Sequence, residues 1–485
     1  MSLTTSLSSA LSGLSAAARG ADVISSNVAN SMTDGYGRRE VVLSAKVVGG
    51  AGQGVVVRTI TRQSDPVLLG DRRIAQAGSS ATDTTAAFMK QLEASLGNSD
   101  SATSLSGRVS NFDTALREAA SRPDSEARLT NVLSAATALA SQLSSVGASI
   151  QTTRSQADTQ IGDQVDLLNT SLARIAKLNG DIRSGLASGR DVSGYLDQRQ
   201  QAIDGISSVL PLREVQRDNG GVALFTTGGA VILDGTPAEF SFTTVGLAVG
   251  GQMQAGGGLS GLRLNGRAVK TSGDSSLIAG GTLAAAFAVR DELGPEAQAN
   301  IDAVARDLIE RFSDPSLDPS LASGAAGLFT DAGGTFDPLN EVGVAQRIKV
   351  NTAADPASGG ALWRLRDGLG AATTGTVGNA SLLNSLSGAL DASRPPASGG
   401  FSSAARSFAN LTSDMTSYAA TGRVTAENEA TYSVAKLETL SALEREAGVD
   451  TDQEMQSLLI IEKAYSANAK VFSVVNDLLQ TILEI

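Results

Sequence analysis

The chain has 485 residues and contains neither cysteine nor histidine. That removes a disulfide scaffold, thiolate and imidazole metal sites, and every catalytic triad that uses histidine as its base. Aromatic residues make up 4% of the sequence, with a single tryptophan. Cores must therefore be built from aliphatic and small side chains, which favours slender helical packing. Positive charge is scarce: 38 Lys and Arg face 50 Asp and Glu, a net charge of -12. This speaks against a nucleic-acid binder, which needs a basic surface to displace phosphate counterions. It speaks equally against docking on an anionic lipid surface. No run of about 18 apolar residues occurs, so no membrane insertion is expected. The N-terminus lacks the basic start and the solid apolar block of a secretory signal, so no cleaved signal peptide is expected.

What is present is periodicity. Leu3, Leu7, Leu11, Leu14, Ala18, Ala21, Ile24 and Val28 recur at steps of three and four, one face of a helix about 40 Å long. Its other face is Ser, Thr, Ala and Gly, with only Arg19 and Asp22 charged before Asn30. The stripe ends in "NVANSMTDGYGRRE", a cluster of turn formers around Tyr36. Residues 36–75 read as extended, with "VVLSAKVV" and "GVVVRTITR" as strands and Gly49, Gly50, Gly52 and Gly54 as their turn. From about Ser79 to Val209 the pattern is helical. Leu105, Val109, Phe112 and Leu116 share a face, and Arg122-Pro123 stops that helix. Leu129 to Ile150 and Val165 to Ile182 make two further stripes, so an elongated bundle is expected. Residues 211–275 carry short β-branched runs cut by glycine pairs and read as strands and hairpins. Helix returns over Leu283–Phe312 and again from Asn379 to Ala447, interrupted at Pro395-Pro396.

The last segment answers the first. Gly448 breaks the preceding helix, and Thr451 stands three residues before Glu454 as a capping box. Met455, Leu458, Ile461, Tyr465, Ala469, Phe472, Val475, Leu479 and Ile482 then follow at a mean step close to the 3.5 of a coiled-coil seam. Each terminal helix alone is marginal, because helix stability comes mostly from packing. The obvious partner of one end is the other, and the charge-poor backs suggest further burial against copies of the same chain.

Chemistry is sparse. Gly256, Gly258 and Gly261 have the spacing of a dinucleotide fingerprint, but the following "LRLNG" reads as strand and turn, not as a helix start. Ser433 and Lys436 in "SVAK" match a Ser-x-x-Lys pattern inside a long helix, without companion motifs. Neither paired carboxylates in an apolar setting nor a calcium-loop pattern occurs. No catalytic, cofactor-binding or metal-ligating residue is assigned, and an enzyme is not expected.

The residues do carry a resemblance. Asn27, Ala29, Asn30, Thr33, Gly35 and Tyr36 in "SSNVANSMTDGY" fill the places of a signature similar to that of bacterial flagellar axial proteins (rod, hook and hook-associated proteins). Met32 and Asp34 stand at its variable places, and Arg38 fits the Tyr-x-Arg of the junction branch. The C-terminal "GVDTDQEMQSLLIIEKAYSANAKVFSVVNDLLQTILEI" resembles the hook-associated protein 1 family, as do "YLDQRQQAIDGIS" and "GGTLAAAFAVRDELGPEAQANIDAVARDL".

That resemblance implies a mainly α fold with a β-rich insert. The terminal helices, 1–35 plus 448–485, would pair as an inner coiled coil. An elongated helical layer, 36–210 plus 276–447 with a β-ribbon at 36–75, would lie outside them. Residues 211–275 would be a small outer β domain, and Ser313 to Gly375 is too short for the large insertion of bigger relatives. It implies a homo-oligomeric ring joining hook to filament, outside the cell and serving motility, after type III export. Implied partners are copies of itself, the hook protein, hook-associated protein 3, the export apparatus and an export chaperone. The assembly stripes would be Leu3, Leu7, Leu11, Leu14, Ile24 and Val28 at one end and the nine C-terminal residues from Met455 to Ile482 at the other. The alternatives are another axial protein of hook or flagellin type, and a secreted hydrolase on a flagellar-type scaffold.

Overall fold

The computed structural model describes residues 3–48, 51–98, 100–246, 250–254, 257–273 and 276–483. Helix α1 (Leu3–Ala29) leads into an antiparallel ribbon, β1 (Arg39–Val48) and β2 (Ala51–Arg62). The expected extended stretch is shorter than its sequence pattern, because α2 (Pro66–Leu96) begins at Pro66 rather than near Ser79. The reason is local: the Asp65 carboxylate accepts from the amides of Val67 and Leu68, and Pro66 sits at the first helical position, where its missing N–H costs nothing. Gly49 and Gly50 lie outside the described residues. Gly52 and Gly54 are inside β2 instead of in the turn, and Val55 N–H donates to Ser12 Oγ of α1 (3.1 Å) across the space above Gly54.

Next come α3 (Leu105–Ser121), ended at Arg122-Pro123, and α4 (Glu126–Ala187). The two stripes read over this region belong to one uninterrupted helix of 62 residues, about 90 Å long. After α5 (Ser193–Ser207) come, among the described residues, seven short strands in two small antiparallel sheets. One contains β3 (Leu212–Gln216), β4 (Val222–Thr226), β5 (Val231–Asp234) and β6 (Thr236–Pro237). The other contains β7 (Phe240–Ser241), β8 (Arg263–Leu264) and β9 (Arg267–Ala268). The "LRLNG" segment is the β8–β9 turn; Gly258 and Gly261 precede it in a loop, and Gly256 lies outside the described residues. Then α6 (Thr282–Ala288) passes through a π turn at Val289–Leu293 into α7 (Gly294–Phe312). Residues 313–380 hold the strand pair β10 (Phe329–Asp331) and β11 (Ile348–Val350), with the short helices α8 (Val344–Arg347) and α9 (Arg364–Asp367). Three long elements finish the chain: α10 (Ser381–Asp391), α11 (Phe408–Glu446), which contains Ser433 and Lys436, and α12 (Thr451–Leu483). The fold is mainly α with a β-rich insert.

Two apolar cores are strung along α4. The first gathers α3, the front half of α4, α7, α10 and the start of α11 around Phe112, Phe312 and Phe329, whose rings meet at 5.2 to 5.7 Å. The second joins Ile161, Leu168 and Ile175 of α4 to Ile203 and Ile206 of α5, Leu224 and Leu233 of the sheet and Phe287 of α6. Two buried polar groups show how charge is held inside. Arg290, on the π turn, meets Asp158 at 2.7 Å with both side chains fully buried. Asp302 of α7 accepts from the amides of Gly343 (2.7 Å) and Ala345 (2.9 Å) and from Gln298 Nε2 (2.9 Å). Burial outweighs those three donors and pushes its carboxyl up to about 6.

Candidate assembly site at the paired chain ends

Helices α1 and α12 pack against each other antiparallel, in a register that repeats every seven residues. A Cβ on Gly13 would collide with the Asn468 side chain, and one on Gly20 would stand 2.7 Å from Ile461 Cδ1. One heptad further on, Asn27 Nδ2 donates to Glu454 Oε2 at 3.1 Å. The α12 face turned to α1 is therefore Glu454, Ile461, Asn468 and Val475, and the α1 face is small. Ala10, Ala16, Ala17, Gly20, Val23 and Ile24 are its buried residues, together with Asn27. Small side chains let the two backbones approach closely.

The leucine stripe of α1 is only partly spent on this contact. Ile24 is buried, Leu3, Leu7, Leu14 and Val28 are half-buried, and Leu11 is 55% exposed. On α12, Val475 is buried and Leu458, Ile461, Ala469 and Leu479 are half-buried, whereas Met455, Tyr465, Phe472 and Ile482 face solvent. Leu459, Ile460 and Leu478 are also exposed. Among the described residues, the pair carries an apolar surface that no other part of the chain covers.

At the end of α1 each signature residue has a definite place. Ala29 closes the helix. Asn30 turns its Nδ2 back to the Ser26 carbonyl (2.9 Å), and its own carbonyl accepts from the Thr33 amide (2.9 Å). Gly35 adopts φ +74°, a left-handed conformation that glycine enters without strain. The chain then reverses, and Tyr36 Oη donates to Asn27 Oδ1 at 2.9 Å. Asn27 is fully buried and spends its whole amide: Oδ1 also accepts from Arg39 N (2.9 Å), and Nδ2 donates to Arg39 O (2.9 Å) and to Glu454. Arg38 Nε closes the cluster on Glu454 Oε1 at 2.6 Å.

The expected capping box is not formed. The Asp450 carboxylate caps α12 by accepting from the amides of Asp452 and Gln453, while Glu454 points into the Asn27–Arg38 cluster. Burial beside a fixed amide and a guanidinium gives this carboxylate a better use than a solvated helix start. Glu454 stands seven residues before Ile461, on the face that meets α1.

A second carboxylate joins the cluster from the middle of the chain. Asp197, in the "LDQR" stretch of α5, accepts from Gly37 N (3.1 Å) and Arg62 Nε (2.7 Å) through Oδ1, and from Arg39 Nη2 (2.8 Å) through Oδ2. Arg62 also reaches the Gly35 carbonyl and Gln200, and Arg39 lies over the Tyr36 ring at 4.9 Å. Arg199 of the same stretch turns inward to Asn179 Oδ1 and the Gly220 carbonyl. Three stretches distant in sequence thus meet around one turn. Above it, α1, the ribbon and α12 wall a cleft of about 420 Å³ lined by Ala17, Gly20, Leu43, Val55, Ile461 and Ala464. Among the described residues no group of acidic side chains has the arrangement of a metal site, and no helix is long and apolar enough to cross a membrane.

Family comparisons agree with this convergence. Residues 89–316 match the "Flagellar hook-associated protein FlgK helical domain", residues 7–36 the "Flagella basal body rod protein" and residues 442–485 the "Flagellar basal body rod FlgEFG protein C-terminal". The chain is 24% identical to flagellar hook-associated protein 1 of Bacillus subtilis over 98% of its own length and 97% of the relative's. These matches support a likeness to the FlgK family of flagellar hook-associated proteins. That family is structural, not enzymatic. Hook-associated protein 1 of Salmonella typhimurium is 28% identical over 237 residues, 47% of this chain, and that of Escherichia coli 25% over 240 residues. The chain spans less than half the length of these two relatives, 42% and 44%. A solved flagellar hook junction protein FlgK from Burkholderia pseudomallei aligns over 54% of this chain and 47% of its own, at 21% identity and a TM-score of 0.44.

Proposed function

We propose that this chain is a junction subunit, assembled as a ring of identical copies between flagellar hook and filament. The observation that carries the reading is the terminal helix pair, which is closed on itself by the Asn27–Glu454 seam yet leaves Leu11, Met455, Leu459, Phe472 and Ile482 exposed. A hydrophobic surface of this kind marks an interaction site. Residues 1–35 with 448–485 form the inner, coiled-coil assembly domain. Residues 36–210 with 276–447, including the 36–75 ribbon, form the helical layer, and 211–275 the outer β-rich domain. Copies of the chain, the hook protein and hook-associated protein 3 are the partners. The subunit reaches its place outside the cell through the type III apparatus, with a chaperone shielding the sticky α12 before export.

Electron microscopy of cells lacking the protein tests the role, together with an assay of flagellin in the medium. Hooks without filaments and shed flagellin monomer are the expected result; normal filaments overturn the reading. Leu11→Asp and Phe472→Asp test the surface. Each should abolish incorporation while the rest of the chain stays folded, and normal incorporation of either variant removes the stripe from the interface.

A further inference from the structure

The terminal unit, made of α1, the β1–β2 ribbon and α12, shares no apolar core with the rest of the protein. Among the described residues, none of 3–62 or 451–483 belongs to either hydrophobic cluster of the body. The unit is joined to the body by two covalent links, around Ser64 and around Gly448, and by polar contacts to one face of α5, with Asp191 of the preceding loop acting on Arg39 and Arg19. Asp197, Gln200 and Gln201 stand at i, i+3 and i+4 on α5, so they point the same way. Asp197 takes Gly37 N, Arg39 and Arg62; Gln200 takes Arg62; Gln201 donates to the Asp34 carbonyl at 2.8 Å. The one carboxylate answers two guanidiniums. By contrast, the Asn27–Glu454–Arg38 cluster lies wholly inside the terminal unit.

We propose that Asp197 is the positioning residue of an ionic joint. Through Arg39 and Arg62 it sets the orientation of the terminal unit on the body, and the unit turns as one piece when that carboxylate loses its charge. An apolar core resists such motion because its contacts are many and close-packed. This contact is made of a few polar bonds, and removing the charge at Asp197 takes away the carboxylate that Arg39 and Arg62 share, leaving Asp191 as the other body carboxylate that acts on Arg39. The inference concerns the joint alone and holds whichever flagellar polymers flank the chain.

The absence of native cysteine allows clean spin labelling. Ala18→Cys with Ser466→Cys reports the distance within the terminal unit, and Ala173→Cys with Ser466→Cys the distance from unit to body; all three positions are exposed. In the full-length chain, pulsed electron paramagnetic resonance should give one narrow peak for each pair. Asp197→Asn should lose the narrow unit-to-body peak and keep the within-unit peak. Retention of both peaks overturns the proposal, as does loss of both, or a unit-to-body distance already broad before substitution. If Asp197→Asn does not fold by circular dichroism, Arg62→Gln attacks the joint from the other side with the same expected and overturning results.

Discussion

The body and the paired chain ends solve the same packing problem in opposite ways. The body buries large side chains: Phe112, Phe312 and Phe329 interlock, and leucines and isoleucines of α4 fill two cores. The terminal pair buries mostly small residues with Val23, Ile24, Val475 and Asn27, and keeps Leu11, Leu459, Ile460, Phe472, Leu478 and Ile482 outside. Apolar burial contributes about 25 cal/mol per Å², so the body is completed within one chain and the terminal seam gains far less. The lesson is one of allocation: small residues make a close, polar-locked seam, and the large apolar residues are left for other molecules.

Substitutions can break or sharpen that contrast. The largest effect belongs to the body. Phe112→Ala should destabilise it by about 3–5 kcal/mol, read as a lower urea midpoint, because it opens a cavity between Phe312 and Phe329. A body indifferent to this change would end the comparison. Next is Asp302, whose folded carboxyl is raised to about 6 against an ordinary value of 3.8. A raised acid binds protons more tightly when folded, so stability falls as pH rises from about 4 to 7, by up to ~3 kcal/mol from this group. Denaturation across that window should show the loss in the parent chain and lack this component in Asp302→Asn.

Asn27→Ala comes third. It strips partners from Tyr36, Arg39 and Glu454 and should cost ~1–3 kcal/mol, confined to the seam. Hydrogen exchange should quicken in α1 and α12 and stay unchanged in α4. The smallest effect is expected for Leu11→Asp, which should move monomer stability by no more than about 0.5 kcal/mol, although it should block assembly. A large loss of monomer stability would place Leu11 in the intramolecular seam and erase the distinction drawn above.

Much of the body was legible because its stripes are local. Leu105 to Leu116, Leu129 to Ile150 and Val165 to Ile182 are buried where their spacing put them. The start of α2 was missed, since strand-like residues and a proline outweighed the Asp65 cap. At the candidate site, the signature from Asn27 to Tyr36 could be read, but not what it holds. Glu454 passed for a capping residue and Asp197 for part of a helix, because a carboxylate's sequence neighbours do not reveal a distant arginine.

By itself the sequence determined which segments are helical, where the first helix ends, and that both ends offer more apolar surface than one helix contact uses. Those follow from side-chain period and turn chemistry, which act over a few residues. The tertiary structure decided which faces meet. Asn27 and Glu454 are 427 residues apart in sequence, and Asp197 lies 158 residues from Arg39. Pairings across such separations exist only once long helices have set the distances between their ends, and no local pattern encodes that geometry.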